Sequence, residues 1–206
     1  MSVQVKICGV TNVADARLAV QYGADLIGLN FYPVSPRYVS LPVAREIRAV
    51  IPPEVWCVGV VVNAKRPYIA ALVEELSLDA IQFHGDEEAT LLQGWSCMTI
   101  KAVRVPAEGP LPDCSQVPTD YLLLDTHRLG RYGGTGETFP WERLLSLPPE
   151  QVNRLILAGG LTAENVATAG RMVRPWAVDV ASGVELQPGR KDPEKLRAFI
   201  RNAKTP

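Results

Sequence analysis

Eight short runs of β-branched and other apolar residues recur along the 206-residue chain: VQVKI (3–7), DLIGLNF (25–31), VWCVGVVV (55–62), DAIQF (79–83), CMTIKAV (97–103), YLLLD (121–125), RLILA (154–158) and WAVDVA (176–181). They begin about 25 residues apart, the length of one strand plus the helix that returns the chain to a parallel neighbour. Most runs lack polar alternation, as expected of parallel strands covered on both faces. The intervals carry helix signals. Thr11 is placed to cap ADARLAVQ, with Asp15 in its first turn and Gly23 as its stop. Asp86 is placed to cap EEATLLQ, ended by Gly94, and Thr162 to cap AENVATA, closed by Gly170. A last helix follows Pro193 through EKLRAFIRNA. One interval differs: PAEGPLPDCSQVP (106–118) holds four prolines and no helical period, so a loop replaces the fifth helix. The pattern predicts an α/β protein with one domain over 1–206, a (β/α)8 barrel at the small end of its size range. A doubly wound open sheet is the competing architecture. The chain has no GxxxxGK[ST] loop, and the glycines around Gly133, Gly134 and Gly136 do not match GxGxxG, so no nucleotide fingerprint supports the open sheet.

Charge and residue usage exclude several classes of partner. With a net charge of −1 the chain has no global field to attract nucleic acid or an anionic membrane. No apolar run approaches the roughly 20 residues that span a bilayer. No basic segment leads into an apolar stretch and a cleavage site, so a cytoplasmic location is expected. The four cysteines (Cys8, Cys57, Cys97 and Cys114) show no metal-finger spacing and are expected to be free thiols there. Two histidines, His84 and His127, are too few for a His-rich metal centre, and no metal is expected.

In a barrel of this kind the active site lies at the C-terminal strand ends and in the loops that follow. The polar residues there are Lys6 and Cys8, then Asn30 with the loop carrying Arg37, then Gln82 and His84, Asp125, Gly159 and Gly160, and finally Asp179, Ser182 and Gly183. LAGGLTAENV and VDVASGVE put glycine-rich turns after strands seven and eight, where such barrels often bind phosphate. GRYGGTGETF after the sixth strand adds a third glycine loop, with Gly134 and Gly136, placed to close over a ligand. Arg37 has aromatic company in Phe31, Tyr32 and Tyr38, a combination suited to an aryl carboxylate. Asp125 ends an otherwise apolar strand, where a carboxylate is costly unless used. Cys8 taken alone reads as core filler, since free cysteine is among the most buried residue types. Lys6 shares its face by the two-residue period and needs a buried partner, for which Asp179 is placed.

Together KICGVT, QFHGDE, LLLDT, GGTGETFPW, LAGGLTAENV and VDVASGVE…PGRKD resemble the phosphoribosylanthranilate isomerase family of tryptophan biosynthesis, in order and over nearly the whole chain. The resemblance implies a cofactor-free Amadori rearrangement of a small phosphorylated substrate, N-(5-phosphoribosyl)anthranilate, and admits a homodimer. It implies Cys8 as general base, Asp125 as general acid, Arg37 on the anthranilate carboxylate and the glycines of the AGGL and ASGVE turns on phosphate. A base at Cys8 calls for a lowered thiol pKa, with Lys6 as its source. The chain departs from the family's GGTGKTFDW pattern at Glu137 and Pro140, and from SSGVE at Ala181. Two related barrel chemistries fit less well. A metal-dependent epimerase needs more histidines. An indole-glycerol-phosphate synthase needs a second strand-end lysine and a glutamate beside Lys101.

Overall fold

The computed structural model describes residues 3–106, 108–126 and 141–205. Each apolar run forms a strand: β1 (Gln4–Cys8), β2 (Leu26–Asn30), β3 (Trp56–Val61), β4 (Ala80–Phe83), β5 (Met98–Val105), β6 (Tyr121–Thr126), β7 (Leu155–Leu157) and β8 (Ala177–Val180). Every strand pairs in parallel with its sequence neighbours, and β8 returns to β1, so the sheet closes as an eight-stranded barrel. The helices are α1 (Val13–Tyr22), α2 (Leu41–Arg48), α3 (Arg66–Leu76), α4 (Pro149–Val152), α5 (Val166–Val173) and α6 (Pro193–Lys204). A 3-10 segment, Trp141–Ser146, precedes α4, and β9 (Glu185–Gln187) with β10 (Arg190–Lys191) forms an antiparallel hairpin after β8. None of the described helices is long and apolar enough to cross a membrane.

The two-residue strand period sorts the side chains into two cores. Leu26, Val58, Ala80, Ile100, Leu123, Ile156 and Ala177 fill the barrel interior, closed at its N-terminal end by Trp56, Tyr121 and Trp176. The alternate residues, among them Val5, Ile7, Ile27 and Val178, pack outward against the helices. Two residues beyond the interior set, the same face carries Gly28, Val60, Gln82, Asp125 and Asp179. Polar groups in this chain therefore rise above a dry apolar plug. Ahead of β2, β4 and β6 an aspartate caps the neighbouring strand: Asp25, Asp79 and Asp120 accept from the amides of Val5, Cys57 and Thr99 at 2.8, 2.8 and 2.7 Å.

Helix ends differ from the sequence reading in three places. Asn12, not Thr11, caps α1, accepting from the Asp15 amide at 2.8 Å, because the Thr11 hydroxyl donates to the Gly189 carbonyl. The stop at Gly23 stands, in the left-handed conformation. Between β4 and β5 there are only turns, and Asp86 caps no helix. There the Glu87 carboxylate accepts from the Asn63 and Gly85 amides and from Lys101, and Arg66 donates to the carbonyls of Thr90, Leu91 and Gln93, so groups from outside the segment hold it as turns. α5 begins at Val166, not after Thr162, and runs through Gly170 to Val173. Asn165 delays it by accepting from the Thr162 amide and donating to the Gly160 carbonyl, which braces the turn after β7. Among the described residues of 106–118 there is no helix, as the prolines predict.

Candidate active site

At the C-terminal mouth the strand ends surround a cavity of about 630 Å³, within the usual size for a small-molecule site. Cys8, Arg37, Gln82, His84, Asp125, Gly159, Gly160, Asp179, Ser182 and Gly183 all line it. The remaining two sequence-predicted residues, Gly134 and Gly136, lie outside the described residues, as do Glu137 and Pro140.

Lys6 and Asp179 occupy paired positions on β1 and β8, and the Lys6 ammonium donates to Asp179 Oδ1 at 2.7 Å. Lys6 is completely buried. Burial opposes its charge, but Asp179 and Cys8 together outweigh that and raise its pKa. Cys8 ends β1 two residues later and pairs with Gly28 of β2. A side chain at Gly28 would place its Cβ 2.9 Å from Cys8 Sγ and 3.3 Å from Lys6 Nζ, so the glycine makes the space that both groups occupy. Lys6 was expected to lower the thiol pKa, and its charge does pull in that direction. Burial pushes the thiol up more strongly, Asp179 adds to that, and the net shift is upward.

Asp125, largely buried, projects from β6 into the same space, with His84 Nε2 3.7 Å from its Oδ2. Gln82 lies 2.8 Å from His84 Nδ1 and fixes the orientation of the ring. Gln82 Oε1 is buried against the cavity with no hydrogen-bond partner among the described residues. Lys101 is directed away from the cavity. It donates to the Gly85 carbonyl at 2.6 Å and to Glu87 at 2.7 Å, so it braces a loop and does not face a ligand.

The turns after β7 and β8 meet at the wall between β6 and β1. A Cβ on Gly183 would come 2.0 Å from the Leu161 carbonyl oxygen, so only glycine allows the two turns to pack this closely. On the other side of β1, Asn30 organises the β2–α2 loop, donating to Ser35 and accepting from the Tyr32 amide. Of the three aromatics near Arg37, Tyr32 lines the cavity, Phe31 is buried in the outer core and Tyr38 faces outward. Only Tyr32 remains a neighbour for an aryl ring.

Two further residues at this site, both within the VDVASGVE…PGRKD motif, were not picked out as site residues by the sequence. Glu185, after β8, receives a forked pair of hydrogen bonds from Arg37, from Nε at 2.9 Å and from Nη2 at 2.6 Å. The pairing raises the guanidinium pKa against the effect of burial. Lys191, on β10, is buried and donates to Glu185 at 2.9 Å and to the Cys8 carbonyl at 2.6 Å. Burial raises the Glu185 pKa, but Arg37 and Lys191 more than reverse it, holding the carboxyl below its ordinary range. No spacing signals these contacts, because they join opposite ends of the chain through a two-residue strand.

Among the described residues no cluster of three or more His, Cys, Asp and Glu side chains could hold a metal ion. The family model for N-(5'-phosphoribosyl)anthranilate isomerase matches residues 5–202. A protein of that name from Acidithiobacillus ferrooxidans is 48% identical, over 96% of both chains. The solved phosphoribosyl anthranilate isomerase of Thermus thermophilus superposes with a TM-score of 0.87 at 37% identity, over 97% of each chain. A further structure of such an isomerase, in complex with reduced 1-(o-carboxyphenylamino)-1-deoxyribulose 5-phosphate, matches with a TM-score of 0.80 at 38% identity, over 98% of each chain. A closed parallel barrel and near-full-length similarity lead to one conclusion: the chain belongs to the phosphoribosylanthranilate isomerase family.

Proposed function

We propose that this protein is a phosphoribosylanthranilate isomerase of tryptophan biosynthesis. It converts N-(5-phosphoribosyl)anthranilate, an aminoaldose, into the aminoketose 1-(2-carboxyphenylamino)-1-deoxyribulose 5-phosphate by acid–base catalysis. The observation that carries this reading is the convergence of Cys8 and Asp125, from strands β1 and β6, on one cavity walled by glycine turns and an arginine. Asp125 in its protonated form donates to the ribose ring oxygen, and the ring opens to an iminium cation. Cys8 removes the proton from C2, the electron pair of that bond cancels the iminium charge, and the resulting enolamine becomes the ketone as C1 gains a proton and the C2 hydroxyl releases one. The iminium cation also supplies a positive charge beside the sulfur, which favours the thiolate where burial and Asp179 oppose it.

The sugar phosphate sits on the amides of Gly159, Gly160, Ser182 and Gly183, a site that survives the loss of a hydroxyl at Ala181. Arg37 gives its Nε–Nη2 edge to Glu185, and the anthranilate carboxylate takes the other edge, with Tyr32 beside the ring. Gln82 and His84 contact the sugar beside Asp125, and Asp179 holds Lys6 beneath it. Turnover is followed by the loss of phosphoribosylanthranilate fluorescence. Cys8→Ala and Asp125→Asn should each lower kcat by about 10²–10⁴-fold, the share typical of a positioned proton-transfer group. Near-normal rates in both variants would refute the mechanism. The same reading places the enzyme in the cytoplasm, where its four free cysteines stay reduced. A homodimer would double the 22.5 kDa chain mass in sedimentation equilibrium.

A further inference from the structure

Lys191 sits at the junction of three parts of the mouth. Its ammonium donates to the Cys8 carbonyl at 2.6 Å, the Ala181 carbonyl at 3.2 Å and Glu185 Oε1 at 2.9 Å. The first of these ends β1, the second follows β8 and begins the turn toward Ser182, and the third holds Arg37. The amine has three donors and all three are used. The backbone around it is tied down independently. The Lys191 amide donates to Asp15 Oδ2 at 2.8 Å, on the first turn of α1, and the Asp192 amide donates to the Val184 carbonyl at 2.9 Å. Glu185 also accepts from the Gly189 amide at 3.3 Å, within the turn of the same hairpin.

A buried charge of this kind is costly. Burial lowers the Lys191 pKa in spite of Glu185, so the group is not held there for its own stability. Simple closure of the hairpin needs no ammonium, because the backbone contacts above already anchor both of its strands. The carbonyl contacts instead fix the height of Cys8 at the end of β1, and the carboxylate contact fixes the direction of Arg37 through Glu185. A single rigid unit therefore spans from the Cys8 backbone to the Arg37 guanidinium.

We propose that Lys191 is a positioning residue that sets the distance between the proton-abstracting thiol and the guanidinium that holds the substrate carboxylate. This rests on the roles given above to Cys8 and Arg37. Lys191 touches neither substrate nor reacting atoms; it acts on binding through Glu185 and Arg37, and on proton abstraction through the Cys8 backbone. A displacement of about 1 Å between such groups is enough to cost about 10²-fold in rate.

The test is a double-mutant cycle on the full chain with N-(5-phosphoribosyl)anthranilate, comparing the parent, Lys191→Met, Arg37→Ala and the double variant. Arg37→Ala alone should raise KM with little change in kcat. Lys191→Met alone should raise KM about tenfold and lower kcat about tenfold, within the coupling seen among groups of one charge network. In the Arg37→Ala background its effect on KM should fall below about twofold, while its effect on kcat persists through Cys8. KM effects that multiply independently would overturn the proposal, as would an unchanged kcat in Lys191→Met. If Lys191→Met shows no cooperative melt, Glu185→Gln takes its place in the cycle. That variant keeps the shape of the contact, and multiplying KM effects overturn the proposal there too. Should Arg37→Ala leave KM unchanged, or Cys8→Ala turn over normally, the underlying reading of the site fails. Should those two behave as expected while the Lys191 and Arg37 effects multiply, only the positioning role fails.

Discussion

At the residue scale, the proposed chemistry turns on a thiol whose surroundings disagree. Lys6 and Lys191 favour the thiolate, while burial and Asp179 oppose it more strongly and hold the thiol pKa above its ordinary value. Arg37 approaches from the β2–α2 loop as a third cation. The proposed catalytic form needs one proton on the Asp125–Cys8 pair, with Cys8 ionised, and is lost when that proton leaves. The alkaline edge of the kcat/KM profile should mark the thiol and lie above its ordinary value of 9.0. Lys6→Met removes a charge that lowers the thiol pKa, so the edge should move to still higher pH. An edge that moves down, or stays fixed, would contradict the assignment of Cys8 as base. The sequence placed Cys8 and Lys6 on one face by strand period alone, but it could not show that burial outweighs the lysine.

At the element scale, β1 and β2 are matched by subtraction. Gly28 leaves the room that Cys8 Sγ and Lys6 Nζ fill, with a Cβ there only 2.9 Å from the sulfur. Gly28→Ala should cost about 1–3 kcal/mol in denaturant unfolding, as overpacking of a filled interior does. It should also displace the sulfur and lower kcat, and a normal kcat would show that the site tolerates the shift. Strand positions were readable because parallel, doubly covered strands leave long apolar runs. Helix ends were less readable. Thr11 and Asn12 are both good caps, and the choice between them is made by Gly189, 178 residues away. The EEATLLQ segment has a helical pattern, but Glu87 at its start is held by the amides of Asn63 and Gly85 and by Lys101. Such competition does not register in local sequence.

At the scale of the whole molecule, the seam between β8 and β1 joins the two ends of the chain, and Lys6 with Asp179 lies on it, 173 residues apart. Asp179→Asn strands a fully buried ammonium and should lower stability by about 3–5 kcal/mol in urea unfolding. Lys6→Met combined with Asp179→Asn should regain part of that loss. A single variant as stable as the parent would mean that the pair does not hold the seam. The number of strands, the proline-rich break after β5, and the strand ends that bear Cys8, Asp125 and Asp179 were all determined by the sequence itself, since they follow from apolar period and residue alternation. Closure of the barrel let these ends share one cavity and gave Lys6 its partner. Only the tertiary structure brought Lys191 and Glu185 under Cys8 and Arg37, because a contact across nearly the full length of the chain depends on how the barrel closes and leaves no period to read.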